Sequence, residues 1–297
     1  MTALPSRDAL PQESRTSERS DDGAVPRDAS AGVHIRPLES LEDCDDCVNL
    51  QREVWGFGPE DIVPASLLHI VAYVGGIAAG AYDADGMLLG FVFGISGIHD
   101  GELAHWSHML GVRESARNLG VGRKLKEHQR AELARMKVAR IFWTFDPLMA
   151  KNAYFNLNRL GAKVVDYVPN VYGITHSPLH LGLPTDRLVV CVTTAEPLAS
   201  LRAILLDENP LVMTPFPQLG DRLVPANGER PAIVLVEIPP RIQDDIANAP
   251  AVASKWRMSL RENFQWALSN GYVAKGVHRT SSGGRSFYVM EREEPAA

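Results

Sequence analysis

The chain has little cysteine, no long apolar run and no excess of positive charge. Only Cys44, Cys47 and Cys191 occur among 297 residues, too few for the disulfide framework of a small secreted protein. We therefore expect a reducing compartment, and the cytoplasm fits. The single Cys-x-x-Cys pair, Cys44 and Cys47, lacks the further ligands that a zinc site needs, so no metal is expected.

The charge balance argues against a nucleic-acid partner. The formal net charge is -6 and the isoelectric point is near 5.9, whereas a phosphate backbone is bound by basic surface. The most membrane-like stretch, residues 67–82, is interrupted by His69 and by Gly75-Gly76 and is shorter than the roughly 20 apolar residues of a membrane span. It is interpreted as a buried helix that continues into a strand, and no membrane is expected.

The chain is long enough for one large core or two smaller ones, since 45% of its 297 residues are hydrophobic. Residues 1–32 are rich in Ser, Asp, Arg and Pro and carry four Arg against six Asp or Glu, which predicts a disordered tail rather than a signal peptide. The pattern changes at a Pro-rich stretch after Pro197. We therefore predict one domain over residues 33–196 and a smaller α+β domain over residues 197–297.

The first domain is predicted to be α/β, with a mixed sheet of about seven strands flanked by helices. Strands are predicted over residues 33–38, 77–82, 87–98, 104–112, 140–145, 163–167 and 187–193, and helices over residues 41–55, around residue 70, from residue 121 and over residues 152–160. Short turns after the second and third strands predict an antiparallel meander. The helix from Val121 then makes a right-handed crossover, so the fourth and fifth strands should be parallel.

The segment Arg117-Asn118-Leu119-Gly120-Val121-Gly122 opens that crossover helix, and this order is typical of an anion site. The first N–H groups of a helix have no partner within it and point at the ligand. Gly120 and Gly122 leave room for a diphosphate and permit left-handed backbone angles, while Arg117 and Arg123 add positive charge. A dinucleotide site is the nearest alternative, but its Gly-x-Gly-x-x-Gly follows the first strand of a parallel sheet. Here the glycines follow an antiparallel meander.

Three segments together resemble the GNAT superfamily of N-acyltransferases, over residues 33–195. They are Met109-Leu110-Gly111-Val112, the loop from Arg117 to Gly122, and the helix from Asn152 to Gly161. More narrowly, residues 107–112, 143–147 and 155–161 resemble a subgroup known mainly as predicted GNAT acetyltransferases. The resemblance implies acetyl-CoA as the acyl donor, and direct attack on its thioester by an unidentified amine of a small molecule or a protein.

The resemblance also implies which residues hold the coenzyme. Backbone groups of Leu110 to Val112 should pair with the pantetheine arm, and the amides of Leu119 to Arg123 should hold the pyrophosphate. The coenzyme-binding residues that it implies are Leu110, Gly111, Val112, Arg117, Asn118, Leu119, Gly120, Val121, Gly122, Arg123 and Asn152.

Direct attack needs a base for the ammonium, a donor for the carbonyl oxygen and an acid for the thiolate. The donor would be a backbone amide near Leu110. Glu102, His105 and His108 are the titratable groups on or beside the fourth strand. We choose His108 as the base because its pKa lies near working pH and it lies closest to the expected thioester. A buried structural histidine is the alternative for either histidine.

The acid is less well defined. In the superfamily it is usually a tyrosine four residues before the glycine that ends the helix, and Leu157 stands at that position. Tyr154, one turn earlier, is the candidate substitute, and an aromatic side chain that faces the core is the alternative. The missing tyrosine keeps a second function open, that of a non-catalytic sensor or interaction module that binds acyl-CoA.

The last hundred residues are predicted to contain a strand over residues 232–238, a helix over residues 252–269 and strands over residues 272–278 and 286–291. This order resembles the second half of the same superfamily fold. We therefore predict a degenerate GNAT-like half that covers the acceptor site or forms a homodimer interface, with a plain extension of the core as the alternative. Arg257 and Arg261 of its helix would bind an acidic group or lie on a solvated edge.

Overall fold

The structure is a computed structural model, and it describes residues 32–56, 62–173, 182–199, 210–218, 221–223, 230–280 and 284–293. Nearly all of the segment for which a disordered tail is predicted lies outside the described residues.

The first sheet has seven strands in the order β1-β2-β3-β4-β5-β7-β6. They are β1 (His34–Pro37), β2 (Ile77–Tyr82), β3 (Leu88–His99), β4 (Glu102–Val112), β5 (Arg140–Phe145), β6 (Lys163–Val168) and β7 (Arg187–Thr193). Strands β2 to β4 form the expected antiparallel meander, and β4 pairs with β5 in parallel. The predicted α/β fold with a seven-stranded mixed sheet is confirmed.

Helices cover both faces of this sheet. They are α1 (Leu41–Trp55), α2 (Ala65–Val71), α3 (Val121–Arg135) and α4 (Ala150–Tyr154), the last of which continues as a π-helical turn over Phe155–Arg159. Helix α3 packs on one face of the sheet, against Ala79, Val92 and other residues of a large hydrophobic cluster. Helices α1 and α2 pack on the other face, against Phe91 and Phe93. Because both faces are covered, every residue of β2 is buried.

Helix α2 differs from the buried helix that the sequence suggests. It buries Leu68 and Val71, whereas Leu67 and Ile70 are 44% and 54% exposed. An amphipathic helix at the surface buries only one stripe, and a short apolar run does not reveal which residues face the solvent. None of the helices in the described part of the chain has the length and hydropathy required to cross a membrane.

A second sheet follows, with five strands in the order β11-β12-β10-β8-β9. Its strands are β8 (Leu211–Met213), β9 (Arg222–Leu223), β10 (Ile233–Ile238), β11 (Tyr272–Arg279) and β12 (Ser286–Arg292), with helices α5 (Ile242–Asn248) and α6 (Pro250–Ser269) between β10 and β11. The sequence predicts β10, α6, β11 and β12, whereas the very short β8 and β9 and helix α5 are not predicted.

The second sheet repeats part of the topology of the first. Strand β12 lies between β10 and β11 and is antiparallel to both, as β7 lies between β5 and β6. Strand β10 pairs in parallel with β8, as β5 does with β4. A register shift occurs at Lys275, four residues after Gly271, and another at Val165, four residues after Gly161. These correspondences support the prediction of a degenerate half.

Two arginines of α6 join the second sheet to the first. The guanidinium of Arg257 donates to both carboxylate oxygens of Asp146 at 2.9 and 2.8 Å, and Arg257 is fully buried. Arg261 donates to both oxygens of the buried Asp186 at 2.9 and 2.6 Å. The acidic groups expected for these arginines therefore belong to this chain, and Arg257 does not lie on a solvated edge.

Candidate active site

Strands β4 and β5 pair only briefly and then separate. Strand β4 pairs with β3 along its whole length, but with β5 only from Ala104 to Trp106, whose partners are Arg140 to Phe142. From Ser107 to Val112 no pairing with β5 is found in the described residues. The two strands thus form a fork that is closed at Trp106 and Phe142 and open toward Val112.

A one-residue bulge lies in β4 at the fork. Phe93 of β3 pairs with Met109 and Gly94 pairs with Ser107, so His108 is the extra residue. A bulge twists the strand and changes the direction of the side chain that it carries, and bulges are frequent next to active sites. The bulge therefore displaces β4 where its pairing with β5 has just ended.

Beyond the bulge, the backbone of β4 directs alternate residues into the fork. The N–H of Arg113 donates to the carbonyl oxygen of Leu89 at 2.8 Å. Since alternate residues of an antiparallel ladder bond to the same neighbour, Gly111 also bonds toward β3. The N–H and C=O groups of Leu110 and Val112 consequently point away from β3, into the fork. These two residues present the backbone groups that an extended arm can pair with.

Gly111 has a packing role in addition. A Cβ atom at this position would lie 2.8 Å from the ring of Phe91 and 2.9 Å from the ring of Trp55. Because both distances are too short for a real Cβ atom, only glycine lets α1 approach β4 this closely.

The turn before α3 places backbone N–H groups at the open end of the fork. Asn118 and Gly120 adopt left-handed backbone angles, with φ of 66° and 78°. Gly120 precedes the first helical residue, and no side chain caps the helix there. The first intrahelical bond joins the N–H of Lys124 to the carbonyl oxygen of Gly120, so the N–H groups of Val121 and Gly122 have no acceptor within the helix.

Gly122 faces the side chains that line the open end of the fork. A Cβ atom there would meet the ring of Phe155 at 3.5 Å and the side chains of Leu110 and Val112 at 3.8 Å each, which are ordinary contacts. A larger side chain at Gly122 would extend into the space between α3, β4 and α4. The N–H groups of Val121 and Gly122 at the start of α3 are of the kind that bind an anion.

The two arginines beside the turn differ in their surroundings. Arg117 is exposed, and its Nε atom lies 3.5 Å from the carbonyl oxygen of Val112. Arg123 donates to the carbonyl oxygens of Arg159 at 2.5 Å and of Leu198 at 2.7 Å. The side chain of Arg123 therefore fastens α3 to the π-helical turn. Leu119 is half-buried and packs against the large cluster.

The candidate base and the two polar residues of α4 lie on the surface. His108 is exposed and its ring stands edge-on to Phe93, with centroids 6.1 Å apart. The surrounding protein nevertheless removes water from the imidazole and lowers the pKa of His108. Tyr154 is 39% exposed, whereas Leu157 is fully buried. Asn152 is exposed, and its side-chain oxygen accepts from Asn156 at 2.9 Å.

A buried polar network under the fork is not predicted from the sequence. His105 is 1% exposed, with its Nδ1 atom 3.0 Å from the hydroxyl of Ser96 and its Nε2 atom 3.1 Å from the Nε2 atom of Gln129. The ammonium of Lys126 donates to the hydroxyl of Ser107 at 2.7 Å and lies 3.4 Å from Oε1 of Gln129. Both Lys126 and Gln129 belong to α3.

The tautomer of His105 follows from its two partners. The hydroxyl of Ser96 donates to the carbonyl oxygen of Gly75 at 2.6 Å, so it accepts from Nδ1–H of His105. The amide of Gln129 then donates to Nε2 of His105. Burial, and second the nearby Lys126, lower the pKa of His105 to about 3. His105 is therefore neutral at physiological pH, and both of its ring nitrogens have hydrogen-bond partners. This agrees with the alternative interpretation of His105 as a buried structural histidine.

A cavity of about 550 Å³ lies across the sheet at the closed end of the fork. Trp106, Phe142 and Val189 contribute to its lining. Phe142 alternates along β5 with Ile141 and Trp143, which pack in the cluster on the α3 side, so this cavity opens on the opposite face. Asp166 and Arg140 add charged groups to its lining.

No group of His, Cys, Asp and Glu residues that could hold a metal ion is found in the described ranges.

No family model and no curated protein matches the chain. Many solved structures do match. Arabidopsis thaliana Naa50, in complex with a bisubstrate analogue, is 16% identical with a TM-score of 0.43, over 55% of this chain and 99% of that one. Aminoglycoside 6'-acetyltransferase type Ii is 22% identical with a TM-score of 0.43, over 55% and 97%.

An acetyltransferase of the GNAT family from Streptococcus pneumoniae is 15% identical with a TM-score of 0.44, over 54% of this chain and 99% of that one. The strand order, the fork and the amide-lined turn at its open end agree with the resemblance found in the sequence. The α/β fold with its seven-stranded mixed sheet is the one that this resemblance implies. Each of these matches covers about half of this chain.

Proposed function

We propose that this protein transfers an acyl group, in the simplest case acetyl, from coenzyme A to an amine by direct attack on the thioester. The observation that supports this most is the fork between β4 and β5, with N–H groups of α3 at its open end that have no acceptor within the helix and no side-chain cap. A long substrate fits these two features if its diphosphate lies at the N–H groups of α3 and its extended arm lies in the fork. The GNAT fold is consistent with that function.

The arm of the substrate takes the place of a strand in the fork. Backbone groups of Leu110 and Val112 hold it by hydrogen bonds of the ladder type, while the N–H groups of Val121 and Gly122 hold the pyrophosphate. Arg117 adds positive charge from the solvent side. The thioester then lies toward the closed end of the fork, beside the bulge at His108.

The amine approaches from the face opposite α3, where the cavity lies. Neutral His108 accepts a proton from the attacking ammonium, and the lowered pKa of His108 keeps its imidazole unprotonated at neutral pH. A backbone N–H of β4 near Leu110 donates to the carbonyl oxygen as negative charge develops on it. Tyr154 is exposed on α4, and its role as the acid stays a prediction.

One observation favours a second function. Leu157, which stands where the superfamily usually has its acidic tyrosine, is fully buried in the core. A protein that binds acyl-CoA without turnover, as a sensor or an interaction module, would not need that acid. Amine-dependent release of coenzyme A distinguishes the two functions.

Calorimetric titration with acetyl-CoA tests the binding site. We expect wild-type affinity on the order of micromolar, and loss of binding in Gly122→Glu, because a carboxylate then occupies the position of the pyrophosphate. Lys137→Glu, an exposed substitution beyond the end of α3 with a larger change of charge, is the matched control and should bind normally. Equal binding by Gly122→Glu and the wild type would remove the basis of the proposal.

A screen of amines for release of coenzyme A then tests the chemistry. The enzyme hypothesis expects release that depends on the added amine and falls by roughly 10²–10⁴ in His108→Ala, the range of general-base catalysis. Binding of acetyl-CoA without turnover on any class of amine would favour the sensor.

A further inference from the structure

Lys126 reaches the closed end of the fork from α3. Its ammonium donates to Ser107 of β4 and lies 4.0 Å from the centre of the Trp143 ring of β5. Ser107 and Trp143 directly follow Trp106 and Phe142, the last residues that pair the two strands. The ammonium thus occupies the point at which β4 and β5 diverge, one residue from the bulge at His108.

Helix α3 lines the fork along its length. Lys126 follows Gly122 by four residues, so the two lie on the same side of the helix. Gly122 faces Leu110 and Val112 near the open end, whereas Lys126 faces Ser107 at the closed end. A substrate that begins with its pyrophosphate at Gly122 and extends along β4 therefore runs toward Lys126.

The ammonium has no carboxylate within ion-pair distance in the described part of the chain, and Lys126 is only 4% exposed. The groups that face it are neutral: Ser107 and His105 of β4, Gln129 of α3 and the ring of Trp143.

The charged neighbours of Lys126 on α3 are engaged elsewhere. Glu127 accepts from Arg130 at 2.9 Å, and Arg123 binds the carbonyl oxygens of Arg159 and Leu198. From the π-helical turn, Asn156 accepts from the indole N–H of Trp143 at 2.7 Å and adds no charge. Burial lowers the pKa of Lys126 to about 7, so its proton is exchangeable near neutral pH.

We propose that Lys126 donates the proton that the leaving coenzyme A thiolate requires, in place of the tyrosine hydroxyl that is absent at Leu157. This inference rests on the proposed function. A buried cation that lacks an anionic partner is suited to a site where negative charge appears during the reaction.

The proton balance closes with the groups present. The amine nitrogen forms a bond to the carbonyl carbon, the C–S bond breaks, and its electron pair goes to sulfur. Lys126 gives sulfur a proton and becomes the neutral amine. His108 holds the first proton of the ammonium, the nitrogen of the new amide loses its second proton to water, and His108 and Lys126 return to their starting protonation states by exchange with solvent after coenzyme A leaves.

An equilibrium experiment tests this contact without any acceptor amine. We measure the thiol pKa of bound coenzyme A from thiolate absorbance, and the affinities of coenzyme A and of desulfo-coenzyme A, which lacks the sulfur. An adjacent cation lowers the pKa of an acidic group by about 1–3 units. We expect such a lowering in the wild type and its loss in Lys126→Met, with unchanged affinity for desulfo-coenzyme A.

Lys137→Met is the matched control and should behave as the wild type does. If Lys126→Met does not fold, Lys126→Gln, which keeps a donor for Ser107, takes its place in the same measurement. An unchanged thiol pKa in the folded Lys126 variant, with coenzyme A still bound, overturns this inference and leaves the proposed function intact. Failure of the wild type to bind coenzyme A would instead overturn the proposed function.

Kinetics provide a second readout, which a purely structural role would not change. The activity of the wild type should fall on the alkaline side as Lys126 loses its proton, because the acid is then lost. The Lys126→Met variant should have a lower kcat and should lack that alkaline limb. A variant that keeps the limb at the same pH would contradict the assignment.

Discussion

Lys126 is a residue whose burial opposes folding at neutral pH. Its pKa is lowered to about 7 in the folded protein, against about 10.4 for an exposed lysine. Between these two pH values the unfolded chain binds more protons than the folded chain, so stability rises with pH over this window. The contribution of Lys126 is thus unfavourable at pH 7 and vanishes near pH 10.5.

We therefore predict that Lys126→Met raises the midpoint of thermal unfolding at pH 7, by about 2–4 °C for each kcal/mol of desolvation that it relieves. The increase should shrink as the pH approaches 10.5, since both side chains are then neutral. Thermal unfolding of both proteins from pH 6.5 to 10.5 checks this, with Lys137→Met as the exposed control. A difference that stays constant with pH would show that folding does not lower the pKa of Lys126.

The sequence contains a signal for this lysine that is easily overlooked. The apolar stripe of α3 includes Val121, Leu125 and Leu133, and Lys126 and Gln129 lie beside them on the buried side of the helix. Polar residues next to an apolar stripe normally mark its solvated border. Only the contacts with Ser107 and Trp143 show that this border is instead enclosed by the diverging strands.

The element α4 is altered by its π-helical turn. The N–H of Leu160 bonds to the carbonyl oxygen of Phe155, five residues earlier, at 3.0 Å. Such a turn adds a residue to one helical loop and rotates the residues that come after it. Leu157 is fully buried while Tyr154 is 39% exposed, although a spacing of three would place them on one face of a regular helix.

The same turn connects α4 to the second sheet. The side chain of Asn158 donates to the carbonyl oxygen of Val277 at 3.1 Å and accepts from its N–H at 2.8 Å. Both bonds are buried and join the π-helical turn to β11 of the second sheet. Asn158 belongs to one of the segments that carry the resemblance to the subgroup, so part of that motif has a structural role.

We predict that Asn158→Ala lowers the free energy of unfolding by about 1–3 kcal/mol for each group of Val277 that it leaves without a partner. Chemical denaturation checks this. Asn263→Ala is the matched control, since Asn263 donates only to Ser259 within α6, and its effect should be small. An Asn158→Ala protein as stable as the control would mean that water replaces both bonds.

Regular elements are the part of the fold that the sequence predicts well. Alternation in β2 to β4 and the helical spacing of α3 give their type and nearly their limits, and the crossover rule gives the parallel pairing of β4 with β5. The bulge at His108 and the turn over Phe155–Arg159 each insert a single residue. One residue does not change the spacing of apolar residues along the sequence enough to reveal the insertion. Strands β8 and β9 are too short to show an alternation of apolar and polar residues.

At the scale of the whole molecule, the two sheets share one hydrophobic cluster. Leu188 and Val190 of β7 belong to the same cluster as Val234 and Val236 of β10. Tyr288 of the second sheet also donates to the carbonyl oxygen of Pro147 at 2.7 Å. A boundary near residue 197 is visible in the sequence as a change of pattern, but the burial that crosses it is not.

The pair of Arg257 and Asp146 lies at the centre of this junction. Both guanidinium bonds are short, and Arg257 is fully buried. Removing one partner of a buried ion pair costs about 3–5 kcal/mol when the other charge is left without compensation. Arg187, whose Nη1 atom lies 3.7 Å from Asp146, keeps part of that compensation in Arg257→Met. Asp146 lies between β5 and α4 and also accepts from the N–H of Leu148 at 2.9 Å. A movement of Asp146 after the loss of Arg257 would therefore also move the start of α4, next to the fork.

We predict that the protein unfolds in one calorimetric transition and that Arg257→Met shifts this whole transition to lower temperature. A shared core does not let one sheet unfold while the other stays packed. Hydrogen exchange should accordingly lose protection in β4 and β5 as well as in β10 and β12. Lys275→Met, a substitution at a half-buried position of β11 whose ammonium pairs with Glu293 at the surface, should leave the transition in place. Two separate transitions, of which only the second sheet's moves in Arg257→Met, would show that the sheets fold independently and that the fork does not depend on the C-terminal part.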